Sequence, residues 1–473
     1  MSRLRRLVAA LASLLARWHV IEEQRFRATV ELAWPRVLTG FAIMSKRTVD
    51  LAIVGVAVGA EAVAGLSVAN GFWTVGKFAF IGLAGGTISL VSQNYGGDEP
   101  GRAAGVVAAS LLVALAASVP VALLFGLGAS PLVGLVGGTQ TVTAFGASYL
   151  AVVAPGLVFE ALNLVASRAY AGVGDTLTPM AIRATGALLN VALSASLVFG
   201  LGFGVVGAAL GTTISTAVVA GIFAWGMTGR SYAGRGASPI PVTRGTRPDT
   251  GLIRQLLSVS TPLVARRVAQ GLAIFPLLAV AATFGSVALA ALGVARQVRQ
   301  LLGSFTWGFS IAASTLVGQA LGAAEETVAV AYGRDITKLS LVVYVAAAAF
   351  VVAVSRPLAA IFVDEGVVLT ALFVASAAVS AVPLGVDASL TGTLRGAGDT
   401  RVPFLATLGG LYLVALPVAY LGTVTSLGVP ALPLALVVET TAPLVVNAAR
   451  FRSRTWLAVS RAYRPGSETD PGD

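Results

Sequence analysis

Between Thr29 and Arg450 the chain is a succession of apolar runs separated by short polar interruptions. A helix needs about 20 residues to cross a bilayer, and runs of that length follow one another twelve times. Backbone amides in hydrocarbon find no water, so spanning segments must be helices or closed barrels. Barrel strands would alternate apolar and polar residues over about ten positions, a pattern absent here. The expectation is an all-α polytopic membrane protein with twelve transmembrane helices. Composition agrees, with 56% hydrophobic and only 11% charged residues, against roughly 25% charged in an ordinary soluble domain.

The net charge of +11 does not point to nucleic acid, because the basic residues are not clustered on a polar domain with interleaved aromatics. They lie between the spans, on alternate sides. Arg3, Arg5, Arg6, Arg17, Arg25 and Arg27 precede the first span; Arg230, Arg235, Arg244, Arg247 and Arg254 follow the sixth; Arg450, Arg452, Arg454, Arg461 and Arg464 follow the last. The alternate loops carry no Lys or Arg except Arg356. The positive-inside rule then predicts a multi-pass protein of the cell membrane, in contact with its lipids, with both termini cytoplasmic.

The opening stretch "MSRLRRLVAALASLLARWHV" has the basic start of a signal peptide but a poor cleavage site, and its leucines recur at helical spacing. It reads as an uncleaved amphipathic helix on the inner membrane surface. There is no cysteine, and the single His19 lies outside the spans. Disulfides, thiolate sites and histidine relays are excluded, and no metal site is assigned. No H-E-x-x-H or G-x-S-x-G motif occurs, so no catalytic residue is assigned and an enzyme is not expected.

The membrane region is duplicated. Residues 65–97, "GLSVANGFWTVGKFAFIGLAGGTISLVSQNYGG", align without gaps with 291–323, "ALGVARQVRQLLGSFTWGFSIAASTLVGQALGA", and "GVGDTLTP" at 172–179 matches "GAGDTRVP" at 396–403. Six spans per repeat make the repeats parallel, related by an axis along the membrane normal. The divisions are a cytoplasmic segment 1–29, a first lobe 30–228, a cytoplasmic linker 229–253, a second lobe 254–451 and a cytoplasmic tail 452–473. In each G-x-G-D-T-x-x-P elbow the aspartate, Asp175 or Asp399, suits the cap of the following helix.

With "GGTISLVSQNYGG", "GVGDT", their copies in the second half and "RFRSRTW" at 450–456, the chain resembles the multidrug and toxic compound extrusion (MATE) family, prokaryotic in type and similar to archaeal and DinF-like members of the MOP flippase superfamily. The resemblance runs from about Glu31 to Trp456. It implies two six-helix lobes in a V around a central cavity, alternating access, a monomer, and cation-coupled antiport of amphipathic drugs or metabolites. No cofactor is implied beyond a coupling ion, a proton in preference to sodium.

Gly71, Gly76 and Lys77 in "NGFWTVGKF" copy the spacing of a phosphate loop, but Phe78 follows the lysine and the flanks are apolar. A phosphate loop needs a strand before it and a hydroxyl after it, so the match is accidental. Asn70, Trp73 and Lys77 share one helical face, and the repeat places Arg296, Arg299 and Gly303 at the same positions. Two readings stand: a cationic lining of the cavity, or ion pairs that fix packing.

The first span carries Pro35, a helix kink, and Asp50. The resemblance implies that Asp50 is the cation-coupling carboxylate, with Asn190, Ser194 and Thr212 as its partners; Ser194 stands where many relatives have a second acid. Lys46 and Arg47 lie four and three residues before Asp50, on its face. They repel sodium, and they suit either a switch in which Asp50 alternates between an ion pair and a proton, or a static salt bridge. Glu160, Asp387 and Glu439 are further spanning acids. Glu160 shares a face with Asn163 and Ser167, and each acid is expected to pair with one of Arg168, Arg266, Arg267, Arg296 or Arg299. This surplus of cations favours the alternative to drug export, a flippase of an anionic lipid-linked precursor or an exporter of an acidic metabolite.

Overall fold

The structure is a computed structural model that describes residues 11–231, 237–243 and 245–464; within these, regular structure is helical, without a strand. The long helices are α1 (Glu23–Ala57), α2 (Ala60–Gly96), α3 (Pro100–Leu127), α4 (Gln140–Gly172), α5 (Leu177–Gly200), α6 (Gly204–Met227), α7 (Thr250–Thr283), α8 (Ser286–Gly322), α9 (Glu326–Ala353), α10 (Val367–Gly396), α11 (Arg401–Val424) and α12 (Ala431–Arg452). Among the described residues, the 11 from α2 to α12 are long and apolar enough to cross a membrane. Helix α1 is of similar length, with 35 residues. Arg36, Lys46, Arg47 and Asp50 lower its apolarity, so the twelfth span is the charged one.

The helices pack into two compact units, one formed by Leu38–Val264 and the other by the chain up to Val37 with Ala265 onward. Both divisions fall inside a helix, two residues after a proline: Pro35 in α1 and Pro262 in α7. An interior proline removes one backbone hydrogen bond and crowds the preceding turn, which weakens each helix where it changes unit. The first helix of each repeat thus lends its opening half to the unit built mainly by the other repeat.

Duplication in sequence is duplication in packing. An added Cβ at Gly172 of α4 would fall 2.7 Å from Val91 of α2, and one at the matching Gly396 of α10 would fall 2.9 Å from the Ser314 carbonyl of α8. Each repeat also inserts a short helix after its third span, Ala129–Gly134 and Ser355–Phe362. Helices α5 and α11 each contain a π-helical stretch, Ser196–Gly200 and Gly409–Ala415. Such stretches are rare and concentrate at functional sites.

Residues 11–17 are helical, and Ala12 and Leu15 join Ile21 and Phe26 in the core around Ile336 and Leu339. Leu11, Leu14 and Trp18 stay exposed on the opposite face. One apolar face of this helix packs on the protein, and Lys338 Nζ donates to the His19 carbonyl at 3.0 Å. Residues 1–10, Arg235, Arg244 and the tail beyond Arg464 lie outside the described residues.

The two elbows differ. Asp175 accepts from Thr178 N at 2.9 Å, as a cap does, whereas Asp399 accepts from Arg450 Nε at 2.7 Å. Arg450 also donates to Thr455 Oγ1 at 2.5 Å, so "GAGDT" and "RFRSRTW" form one polar knot.

Candidate functional site

The unit Leu38–Val264 surrounds Asp50 with neutral polar groups. Its carboxylate is buried and accepts from Thr212 Oγ1 at 3.3 Å. The hydrogen-bond network assigns the Asn190 amide: its nitrogen donates to both Asp50 oxygens at 3.2 Å, and its oxygen accepts from Thr212 N at 3.2 Å. Ser194, fully buried, neighbours the same carboxylate, although its hydroxyl completes no hydrogen bond of normal geometry. A close helix contact makes this convergence possible. At Gly211 of α6 an added Cβ would fall 2.8 Å from Ser194 N of α5, so only glycine brings Ser194 and Thr212 together. Tyr149 of α4, buried beside Thr212 and within the field of Asp50, belongs to the group and was not singled out from the sequence.

Lys46 and Arg47 are not direct partners of Asp50. Among the described residues neither forms an ion pair with it; Lys46 acts through its field, and Arg47 is exposed. The pairing expected within one helix turn is replaced by hydrogen bonds from α5 and α6.

Glu160 of α4 is the second buried acid of this unit. Arg183 of α5 grips it with two hydrogen bonds of 2.9 Å, and Lys77 Nζ of α2 lies 2.6 Å from the same carboxylate. Arg183 takes the place of Arg168, Arg266, Arg267, Arg296 or Arg299, the partners expected for Glu160 from the sequence. A charge at the centre of a spanning helix costs about 2.5–3.5 kcal/mol on insertion scales, and here Glu160 meets two cations, with Arg183 in bidentate contact, which offsets much of that cost. Lys77 therefore sits in an ion pair. Lys46 feels Glu160, Arg183 and Lys77 as well as Asp50, which links the two acids electrostatically. Asn163 instead donates to the Thr216 carbonyl of α6 at 3.0 Å, away from Glu160. Trp73 packs on Gly156 of α4, and the Asn70 carbonyl accepts from Thr74.

In the other unit Asp387 of α10 accepts from Arg266 of α7 at 3.1 Å and from Asn447 of α12 at 2.7 Å. Glu439 of α12 takes Arg299 of α8 in bidentate contact at 3.0 and 3.1 Å. Among the described residues Arg296 has no ion pair, and Arg299 and Glu439 are its charged neighbours. A cavity of about 50 Å³ lies between Arg266, Gln270, Asp387 and Glu439, room for water or a small ion. In the same unit Arg36 and Arg267 stand 4.9 and 5.8 Å from the centre of the Trp307 ring, and Arg395 donates to the Ser310 carbonyl at 2.8 Å.

Twelve spanning helices in two pseudo-symmetric units, each holding buried carboxylates on hydrogen-bonding partners, define a membrane transporter of the two-lobed, internally repeated kind. The MatE family profile matches residues 35–196 and 262–421, and the chain belongs to that family, multidrug and toxic compound extrusion. It is 27% identical over 422 residues to a "Probable multidrug resistance protein NorM" of Bradyrhizobium diazoefficiens, covering 85% of this chain and 87% of that one. A protein of the same name from Rhodopseudomonas palustris is 29% identical over 423 residues, covering 85% and 86%. The solved "Crystal structure of MATE in the bent conformation" superposes with a TM-score of 0.85 at 21% identity, covering 93% of this chain and 97% of that one, a likeness of fold.

Proposed function

We propose that the chain exports amphipathic drugs or metabolites by cation-coupled antiport through alternating access, with Asp50 as the coupling group and a proton as the coupling ion. The observation that carries the reading is the buried Asp50 carboxylate, held by Asn190 and Thr212 and free of an ion pair with Lys46 or Arg47. A carboxylate so placed can take up and release a proton without breaking a salt bridge. Sodium prefers several hard oxygen ligands, whereas Asn190 turns its N–H groups toward Asp50. The names of the NorM relatives support a multidrug cargo. The loops rich in arginine support a cytoplasmic position for both termini.

Efflux of a cationic dye from proteoliposomes under an imposed proton gradient tests the proposal, and a dye that stays put whichever gradient is applied counts against it. A second reading, export or flipping of an anionic cargo, is favoured by one observation: the excess of arginines in the unit containing Asp387. Faster movement of an anionic dye than of a cationic one of the same size would put that reading first.

A further inference from the structure

The short helix of residues 11–17 stops at His19, whose φ of 54° is left-handed. Two backbone hydrogen bonds fix the stop: Val20 N donates to the Leu15 carbonyl and His19 N to the Ala16 carbonyl, both at 3.0 Å. This crossed pair is the Schellman ending of a helix, and its apolar contact is present, since Val20 packs on the core that holds Leu15. A residue other than glycine in the left-handed region carries a conformational cost. Lys338 Nζ of α9 secures it by donating to the His19 carbonyl at 3.0 Å. Residues 11–22 thus form a strap on α9, within one compact unit.

The strap has two faces. Ala12, Leu15 and Ile21 are buried in the core around Ile336 and Leu339 of α9, a helix long and apolar enough to cross a membrane. Just beyond the strap, Arg25 Nε donates to the buried Asp335 of α9 at 2.8 Å, which ties the start of α1 to the same helix. The other face carries Leu11, Leu14 and Trp18, which are 43, 41 and 66% exposed and follow one another at spacings of three and four.

Position and charge say what covers this face. Helix α1 begins at Glu23, six residues after Arg17, a reach of at most about 22 Å, and the inner face rests on a second spanning helix. The strap is therefore held at the edge of the membrane-embedded region. Arg17 and Lys338 are exposed, and among the described residues neither forms an ion pair. The neighbouring acids are already taken: Glu22 by Arg25 at 2.7 Å, Glu23 by Arg27, and Asp335 by Arg25 and Arg334. Leucines and a tryptophan flanked by cations are what seats a helix in a lipid interface, and cations there are drawn to anionic headgroups.

We infer that the strap is a binding surface for anionic lipid: Leu11, Leu14 and Trp18 enter the headgroup region, and Arg17 together with Lys338 selects negatively charged headgroups. The sequence places an amphipathic helix on the membrane; the structure adds a second cation from a helix of the second repeat and a tie to the start of α1. Bound anionic lipid then holds the strap, and with it the start of α1, against α9. This goes beyond the transport reading and does not depend on it.

The chain has no cysteine, so Leu14→Cys supplies a single thiol for an environment-sensitive fluorophore. The labelled full chain is placed in nanodiscs of phosphatidylcholine, with and without phosphatidylglycerol. Quenching by a nitroxide on the lipid headgroup is compared with quenching by acrylamide in the water. Lipid quenching at least twofold stronger with phosphatidylglycerol, and loss of that difference when Arg17→Gln or Lys338→Gln is added, supports the surface. The two substitutions lie on different elements, and each variant is checked by size-exclusion profile, which guards against a folding defect in one. Quenching by acrylamide alone, as for a face in water or one kept for a protein partner, overturns it. So does lipid quenching that is equal in the two membranes, or a phosphatidylglycerol effect that survives in both folded variants. No transported molecule enters the measurement, so failure of the export reading would leave its outcome unchanged.

Discussion

Lys77 of α2 and Glu160 of α4 meet at 2.6 Å, with Arg183 of α5 completing a trio of two cations on one buried carboxylate. The two cations are not equal. Removing Glu160 leaves both without their acid, whereas removing Lys77 leaves the bidentate Arg183 pair intact. Glu160→Gln should cost about 3–5 kcal/mol of stability, the usual cost of orphaning a buried ion pair. Lys77→Met should cost about 1.5–3 kcal/mol, the worth of a hydrogen bond to a charged group. Thermal unfolding of the purified proteins in detergent should rank wild type above Lys77→Met and Lys77→Met above Glu160→Gln.

The close contact of Gly211 with Ser194 N, 2.8 Å from an added Cβ, makes a second test. Gly211→Ala should destabilise by about 1–3 kcal/mol through overpacking and should spread Thr212 away from Asn190, so efflux falls as well. Gly71, with nothing within 4 Å of its added Cβ, is the control. Gly71→Ala should be neutral or stabilising by up to about 1 kcal/mol, since alanine is the better helix former.

Arg299 and Glu439 join α8 to α12 through two hydrogen bonds of 3.0 and 3.1 Å. A double-mutant cycle of Arg299→Met and Glu439→Leu should give a coupling of about 0.5–3 kcal/mol, with the double variant more stable than Glu439→Leu alone. Additive losses in thermal unfolding would show that the pair is not coupled.

The fold was legible because a bilayer demands long apolar helices, and twelve such runs with a gapless repeat leave few architectures. Helix α1 fits that pattern least, since Arg36, Lys46, Arg47 and Asp50 interrupt its apolar surface. Asp50, Asn190, Ser194 and Thr212 were placed by family resemblance, and the structure brings the first, second and fourth into hydrogen-bond contact. Ion-pair partners were harder to read, because pairing across helices depends on rotation and depth that one sequence does not carry. Local spacing put Lys46 and Arg47 beside Asp50, yet hydrogen bonds from α5 and α6 reach it first. Arg183 and Tyr149 were missed, although each carried a signal: Arg183 precedes Asn190 by seven residues and Tyr149 precedes Glu160 by eleven, spacings that share a helix face. The Trp307 cluster joins α1, α7, α8 and α10, and no spacing within one helix announces it.

The central claim is that Asp50 couples export to a proton. The most direct measurement is dye efflux from proteoliposomes of wild type and Asp50→Asn, with proton and sodium gradients imposed separately. The account predicts efflux driven by the proton gradient in wild type, none driven by sodium alone, and loss of the proton-driven component in Asp50→Asn although the variant still folds. Undiminished proton-driven efflux in Asp50→Asn, or efflux that follows the sodium gradient, would contradict it.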